Sequence, residues 1–123
     1  VEDSIDNQIM VSRFLALQGA EVDVADNGVE GVKKALSNSY NLLLMDIQMP
    51  ELDGFGALKE LQNKGFRKPM IAITAHGMLE ERERCLKMGF SDHLTKPVNR
   101  RLLLERVYHF ANSGEKYNRS NTL

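Results

Sequence analysis

Leu42-Leu43-Leu44-Met45-Asp46 decides how the rest of the chain is read. Four large apolar residues in a row suit a strand buried on both faces, as in a parallel sheet. The run ends on a carboxylate. In open α/β sheets ligands bind just outside the carboxyl ends of the strands, so Asp46 stands where chemistry would be done. Met49-Pro50 and Asp53-Gly54 then read as a loop and a new helix start. Asp46 is the candidate reactive residue, and the other motifs are judged by whether they reach it.

Working outward, Met70-Ile71-Ala72-Ile73-Thr74-Ala75 is a second strand of the same apolar kind. Two weaker strands flank this pair in sequence. Glu21-Val22-Asp23-Val24-Ala25 alternates polar and apolar, and Asp92-His93-Leu94-Thr95 is half polar, as edge strands are. Helical patterns separate the strands. One starts at Ser4, carries Ile5, Ile9, Phe14 and Leu17 along a broad face, and closes at Gly19. Another follows Asn27 with Val32, Ala35 and Leu36. A third runs from Asp53 through Leu58 and Leu61 to Gly65. A fourth spans about Met78 to Met88 and ends at Gly89. The last covers about Asn99 to Ala111, with Leu102, Leu103, Val107 and Phe110 inward. Ser4, Asn27 and Asp53 are N-cap types, and the glycines suit helix ends.

Alternating strands and helices imply a parallel sheet covered on both faces. The grading of the strands fits a flavodoxin-like three-layer sandwich of strand order 2-1-3-4-5. That order needs a central first strand ahead of Glu2, of which only Val1 is present. Either upstream residues supply it, or the slot is filled by exchange with a second copy. Residues 1–112 read as the domain, and the polar, aperiodic residues 113–123 as a tail or linker.

The bulk composition narrows the field. The chain has 123 residues, enough for one compact domain with a core of its own. Apolar residues make up 42% and charged residues 27%, which excludes disorder of the whole chain. Sixteen basic and 17 acidic residues leave a net charge of −1, which gives no reason to expect nucleic acid or an anionic membrane as partner. The lone Cys85 cannot form an internal disulfide and fits a reducing compartment. With no apolar run of spanning length and no signal peptide, a cytoplasmic site is expected, or the cytoplasmic part of a membrane-bound protein.

Aligning the strand ends brings Glu2, Asp3, Asp46, Thr74 and Lys96 to one rim. Three carboxylates at one point repel and need a cation. Oxygen-only ligands favour a hard ion such as Mg²⁺. Lys96 adds a compact positive charge suited to phosphate, and Thr74 adds a hydroxyl. The Lys96-Pro97 bond can be cis, which would aim the lysine inward. Together these match phosphoryl transfer to an accessible carboxylate.

At these residues the chain resembles the receiver (CheY-like) domains of two-component response regulators. The resemblance rests on Glu2-Asp3, on Met45-Asp46-Ile47-Gln48-Met49-Pro50 with Asp53-Gly54, on Ile73-Thr74-Ala75 and on Thr95-Lys96-Pro97. It implies that Asp46 accepts a phosphoryl group. It also implies that Glu2, Asp3, Asp46 and the backbone carbonyl of Gln48 hold Mg²⁺, while Thr74, Ala75 and Lys96 bind the phosphoryl oxygens. Thr74 would act as a switch with the residue three before the lysine, here His93 where the family usually has Tyr or Phe. Gln48 and His76 occupy positions that tune phosphoaspartate lifetime. The wording Asp-Ile-Gln-Met-Pro and Thr-Ala-His is most similar to receivers of hybrid sensor histidine kinases. It implies a histidine kinase or a histidine phosphotransfer domain as partner, with a homodimer also allowed. Such a domain is not an enzyme in isolation, though it assists its own phosphorylation and dephosphorylation, and its parent chain can be a kinase.

Alternatives remain at this level. A pseudo-receiver used only for protein contacts would share the fold, but such proteins usually lose the acceptor or the lysine, and both are here. An aspartate-nucleophile phosphohydrolase resembling the haloacid dehalogenases would carry a second Asp where Gln48 stands. No G-x-G-x-x-G follows a strand, which disfavours a nucleotide-binding domain. His76, His93 and His109 lack a shared ligand spacing. The Glu80-Glu81-Arg82-Glu83-Arg84 run reads as a solvated helix face, though in the family this neighbourhood also carries partner contacts.

Overall fold

The computed structural model describes residues 1–48, 52–75 and 77–119, with side chains to residue 111. In chain order the elements are α1 (Ile5–Ala16), α2 (Gly28–Ser37), β1 (Leu43–Asp46), α3 (Gly54–Asn63), β2 (Met70–Thr74), α4 (Leu79–Met88), β3 (Asp92–Thr95) and α5 (Arg100–Arg119). The strands lie parallel in the order β1-β2-β3. Among the described residues no helix is long and apolar enough to cross a membrane.

Side chains alternate across the sheet and feed two cores. On one face Met45, Met70 and Ala72 pack with Val32 and Ala35 of α2, Leu58 and Leu61 of α3, and Cys85 of α4. On the other, Ile71, Ile73 and Leu94 pack with Leu15 of α1 and Leu103 of α5. The result is the expected three-layer α/β sandwich. Tertiary burial holds its helices. α3 has 10 residues, below the roughly 12–15 at which an isolated helix becomes even marginal in water. Complete burial of Leu58 and Leu61 contributes roughly 1.5–3 kcal/mol apiece.

The caps follow the sequence. The Ser4, Asn27 and Asp53 side chains accept from the N–H groups of Asn7, Glu30 and Gly56. Gly19, Gly65 and Gly89 have φ of +91°, +84° and +127°, the left-handed turns expected after helices.

Several expectations are corrected. Residues 21–25 form no strand. They alternate as a strand should, but a ladder needs backbone partners along its length; here the Glu2 N–H donates to Ala25 O at 3.0 Å at one end, and Lys34 and Tyr40 reach Val24 O and Asp23 with side chains instead. Val1 pairs the other way: its amino group donates to Leu44 O at 2.6 Å and its carbonyl accepts from Asp46 N–H at 3.0 Å. Val1 and Glu2 thus occupy the central position that the strand order requires. Below them a groove of about 540 Å³ runs between Val22 and Val24 on one side and Leu42 and Leu44 on the other.

The inward face of α1 is Val11, Phe14 and Leu15, whereas Ile5, Ile9 and Leu17 are exposed. Apolar residues occupy two stripes of this helix, and periodicity alone does not say which one meets the sheet. Leu102 and Leu36 are likewise exposed, with Leu104 packed inward instead of Leu102. α5 continues to Arg119 rather than stopping at Ala111. Past Ala111 no proline interrupts it, and Gly114 costs a helix only about 1 kcal/mol.

β3 is buried except at Thr95. At its start Asp92, 3% exposed, accepts from Arg82 of α4 at 3.2 Å through Oδ1 and from Arg106 of α5 through Oδ2. A buried carboxylate is tolerated when paired in this way, so the polar character of β3 reflects a tie to both flanking helices.

Gly54 marks a close approach. Its N–H donates to Ile47 O at 2.9 Å, and a Cβ there would come within 2.7 Å of both Asp46 O and Ile47 Cα. Gly54→Ala should destabilise the fold by about 1–3 kcal/mol through overpacking, read as a lower urea midpoint. Burial and the nearby Glu81 push the Cys85 thiol up to about 11. Because the thiolate is the reactive form, native protein should resist alkylation at pH 8 and label readily once unfolded.

Candidate functional site

The parallel register delivers the site. Asp46 ends β1 opposite Ile73, Thr74 ends β2 opposite Thr95, and Lys96 follows directly. The Lys96 N–H donates to Thr74 O at 2.8 Å, fixing the chain as it leaves the sheet. The Lys96–Pro97 peptide is cis.

Asp46 is 1% exposed. Its Oδ2 accepts from Lys96 Nζ at 2.9 Å, and its Oδ1 accepts from the Gln48 N–H at 3.2 Å. Lys96 Nζ also lies 3.2 Å from Glu2 Oε1, so one ammonium bridges two carboxylates. The other oxygen of Glu2 accepts from the Ser4 N–H at 2.9 Å. Carboxylate oxygens of Glu2, Asp3 and Asp46 all lie within 4.8 Å of one another.

Such crowding has a cost. At an effective dielectric of about 20, two unit charges at this separation repel by roughly 3 kcal/mol, more than an exposed ion pair recovers. Burial is the main reason the Glu2 carboxyl is raised from its ordinary range, with Asp46 adding to it while the Ser4 hydrogen bond and Lys96 oppose. Burial would depress the Lys96 ammonium, but the hydrogen bond and charge of Asp46, seconded by Glu2, outweigh it and raise the group overall. The site favours added positive charge. Its donors are oxygens alone, a set that fits a hard divalent ion. Glu2, Asp3 and Asp46 would hold it.

The other expected residues fall as follows. Thr74 is fully buried at the end of β2, and Ala75 follows it, exposed. Gln48 is exposed just beyond β1. His93 is 6% exposed and pairs with Ala72, two positions back from the rim. His76, Met49 and Pro50 lie outside the described residues. The supporting polar contacts from Ser4 and Gln8 were not read from sequence in this role. In the sequence Ser4 reads as a cap alone, and Gln8 carries no signal of its own.

A parallel α/β sandwich whose strand ends carry an acidic trio, a buried threonine and a lysine salt-bridged to Asp46 defines a receiver-type class. The chain belongs to the response regulator receiver domain family, whose sequence pattern matches residues 1–108. Among curated proteins it is 39% identical over 107 residues to the transcriptional regulatory protein CpxR homolog of Haemophilus influenzae, covering 87% of this chain and 46% of that one. The chain therefore spans about half the length of that relative. Among solved structures it is similar to the receiver domain of sensor histidine kinase PA1611 from Pseudomonas aeruginosa PAO1, described with a magnesium ion in the active site cleft. There the identity is 34%, the TM-score 0.82, and the coverage 91% of this chain and 93% of that one. It is also similar to a Saccharomyces cerevisiae co-crystal of the histidine phosphotransfer protein Ypd1 and the receiver domain of Ssk1, at 28% identity and TM-score 0.82, with 89% and 84% covered. The chain is thus a receiver domain of two-component signalling.

Replacing Lys96 by Met leaves the trio without its internal cation. Lys96→Met should lower stability by about 3 kcal/mol in metal-free buffer, since Asp46 is buried and loses its partner. Added Mg²⁺ should then raise the thermal midpoint more than it does for wild type.

Proposed function

We propose that this receiver takes a phosphoryl group on Asp46 in a Mg²⁺-dependent phosphorelay. The observation that carries the reading is Lys96 Nζ at 2.9 Å from Asp46 Oδ2, beside acidic oxygens within 4.8 Å. Glu2, Asp3, Asp46 and the backbone carbonyl of Gln48 would hold the metal, which would supply positive charge to the phosphoryl oxygens. An Asp46 oxygen attacks phosphorus, the bond to the donor breaks, and the leaving group departs with its electron pair. Lys96, Thr74 and the backbone at Ala75 bind the transferred oxygens. These groups act by position and charge.

The modification replaces one carboxylate charge by up to two on a larger group. Thr74 moves toward it, and with His93 shifts the population of the face formed by β2, α4, β3 and α5. Gln48 and His76 tune the phosphoaspartate lifetime. Residues 1–112 constitute the receiver, and 113–123 a tail or linker. The donor or acceptor is a histidine kinase or histidine phosphotransfer domain. The motif wording and the likeness to a sensor-kinase receiver favour a hybrid kinase as parent, with the domain in the cytoplasm.

A small phosphodonor with Mg²⁺ should add one phosphoryl group to the wild-type mass. Asp46→Asn should gain none, and chelation should abolish the gain. An equal gain in Asp46→Asn would reject the assignment.

A further inference from the structure

Gln8 of α1 makes two side-chain hydrogen bonds with a single nitrogen. Its Nε2 donates to the backbone carbonyl of Glu2 at 2.6 Å and to Asp26 Oδ1 at 2.9 Å. A carboxamide NH₂ carries two hydrogens, so both contacts are satisfied at once. The Glu2 carbonyl belongs to the peptide linking Glu2 to Asp3. On the other side of the Glu2 Cα, the N–H donates to Ala25 O at 3.0 Å. Both peptide units flanking Glu2 are thereby tied down. Rotating the Glu2–Asp3 peptide would swing the Asp3 side chain off the rim, and the Gln8 bond opposes that rotation.

We propose that Gln8 is a positioning residue for the metal-holding pair: its amide locks the Glu2–Asp3 peptide against the Asp26 carboxylate, so that both acids face Asp46. This rests on the reading of Glu2 and Asp3 as Mg²⁺ ligands. The role demands a donor at position 8, because both partners are acceptors. A glutamate has nearly the same shape but presents only oxygens to a carbonyl and a carboxylate. A lysine keeps the donors and pairs with Asp26.

The test compares Gln8→Glu, Gln8→Met and Gln8→Lys with wild type. Mg²⁺ affinity is read from amide chemical shifts in a Mg²⁺ titration, and the thermal midpoint is measured in metal-free buffer. Gln8→Glu and Gln8→Met should bind Mg²⁺ on the order of 10-fold more weakly, the usual effect of losing a group that orients a metal ligand. Gln8→Lys should restore affinity. Unchanged affinity in folded Gln8→Glu and Gln8→Met would overturn the proposal, as would an equal loss in Gln8→Lys. Loss of the fold in both Gln8→Glu and Gln8→Met would overturn it too, by making the residue a structural one. A wild type that fails to bind Mg²⁺ would instead overturn the underlying reading of the acidic pair.

Discussion

Negative charge held together against its own repulsion is the constraint on which the rest of this structure depends. Asp46, Glu2 and Asp3 come from two separate stretches of chain, yet their oxygens share a space a few ångströms across. The fold contributes the closeness, because parallel strands end at one margin. Lys96 contributes the neutralisation, bonded to two of the three acids. An arrangement only partly compensated by its own lysine favours a further cation.

The surroundings are built to keep that margin still. Lys96 leaves the sheet with its N–H bonded to Thr74 O. Gly54 packs directly on the backbone at the end of β1, where a side chain would push that strand aside. Ser4 caps α1 with its side chain and supports Glu2 with its N–H. Each contact is worth about 1 kcal/mol alone. Together they hold one short span in place, where a displacement of about 1 Å would pull the acidic oxygens away from Lys96.

Much of this was legible in the residues. The unbroken apolar runs identify β1 and β2 because buried parallel strands have no polar face to show, and each ends on a residue of the site. The acids, threonine and lysine could be placed together once the strands were taken as parallel. The helix faces were less legible: α1 and α5 carry apolar residues on more than one side, so Ile5, Ile9 and Leu102 read as core and are exposed. Residues 21–25 show a strand's alternation, yet pairing depends on a neighbour elsewhere in the chain, which local pattern does not encode. The duty of Asp92 was hidden for the same reason. Its partners, Arg82 and Arg106, lie 10 and 14 residues away on different helices.

Asp92 has a mechanical consequence. Two guanidinium groups from neighbouring helices share a single acceptor that solvent hardly reaches. If α4 shifts and withdraws Arg82, one oxygen of Asp92 keeps only the His93 N–H, and half-stripped buried charge is penalised by a few kcal/mol. The cheaper response is for β3 or α5 to follow. The helices are yoked at the far end of the strand from Lys96, so the two ends of a four-residue strand tether different parts of the fold: one grips Asp46, the other ties two outer helices to a single carboxylate.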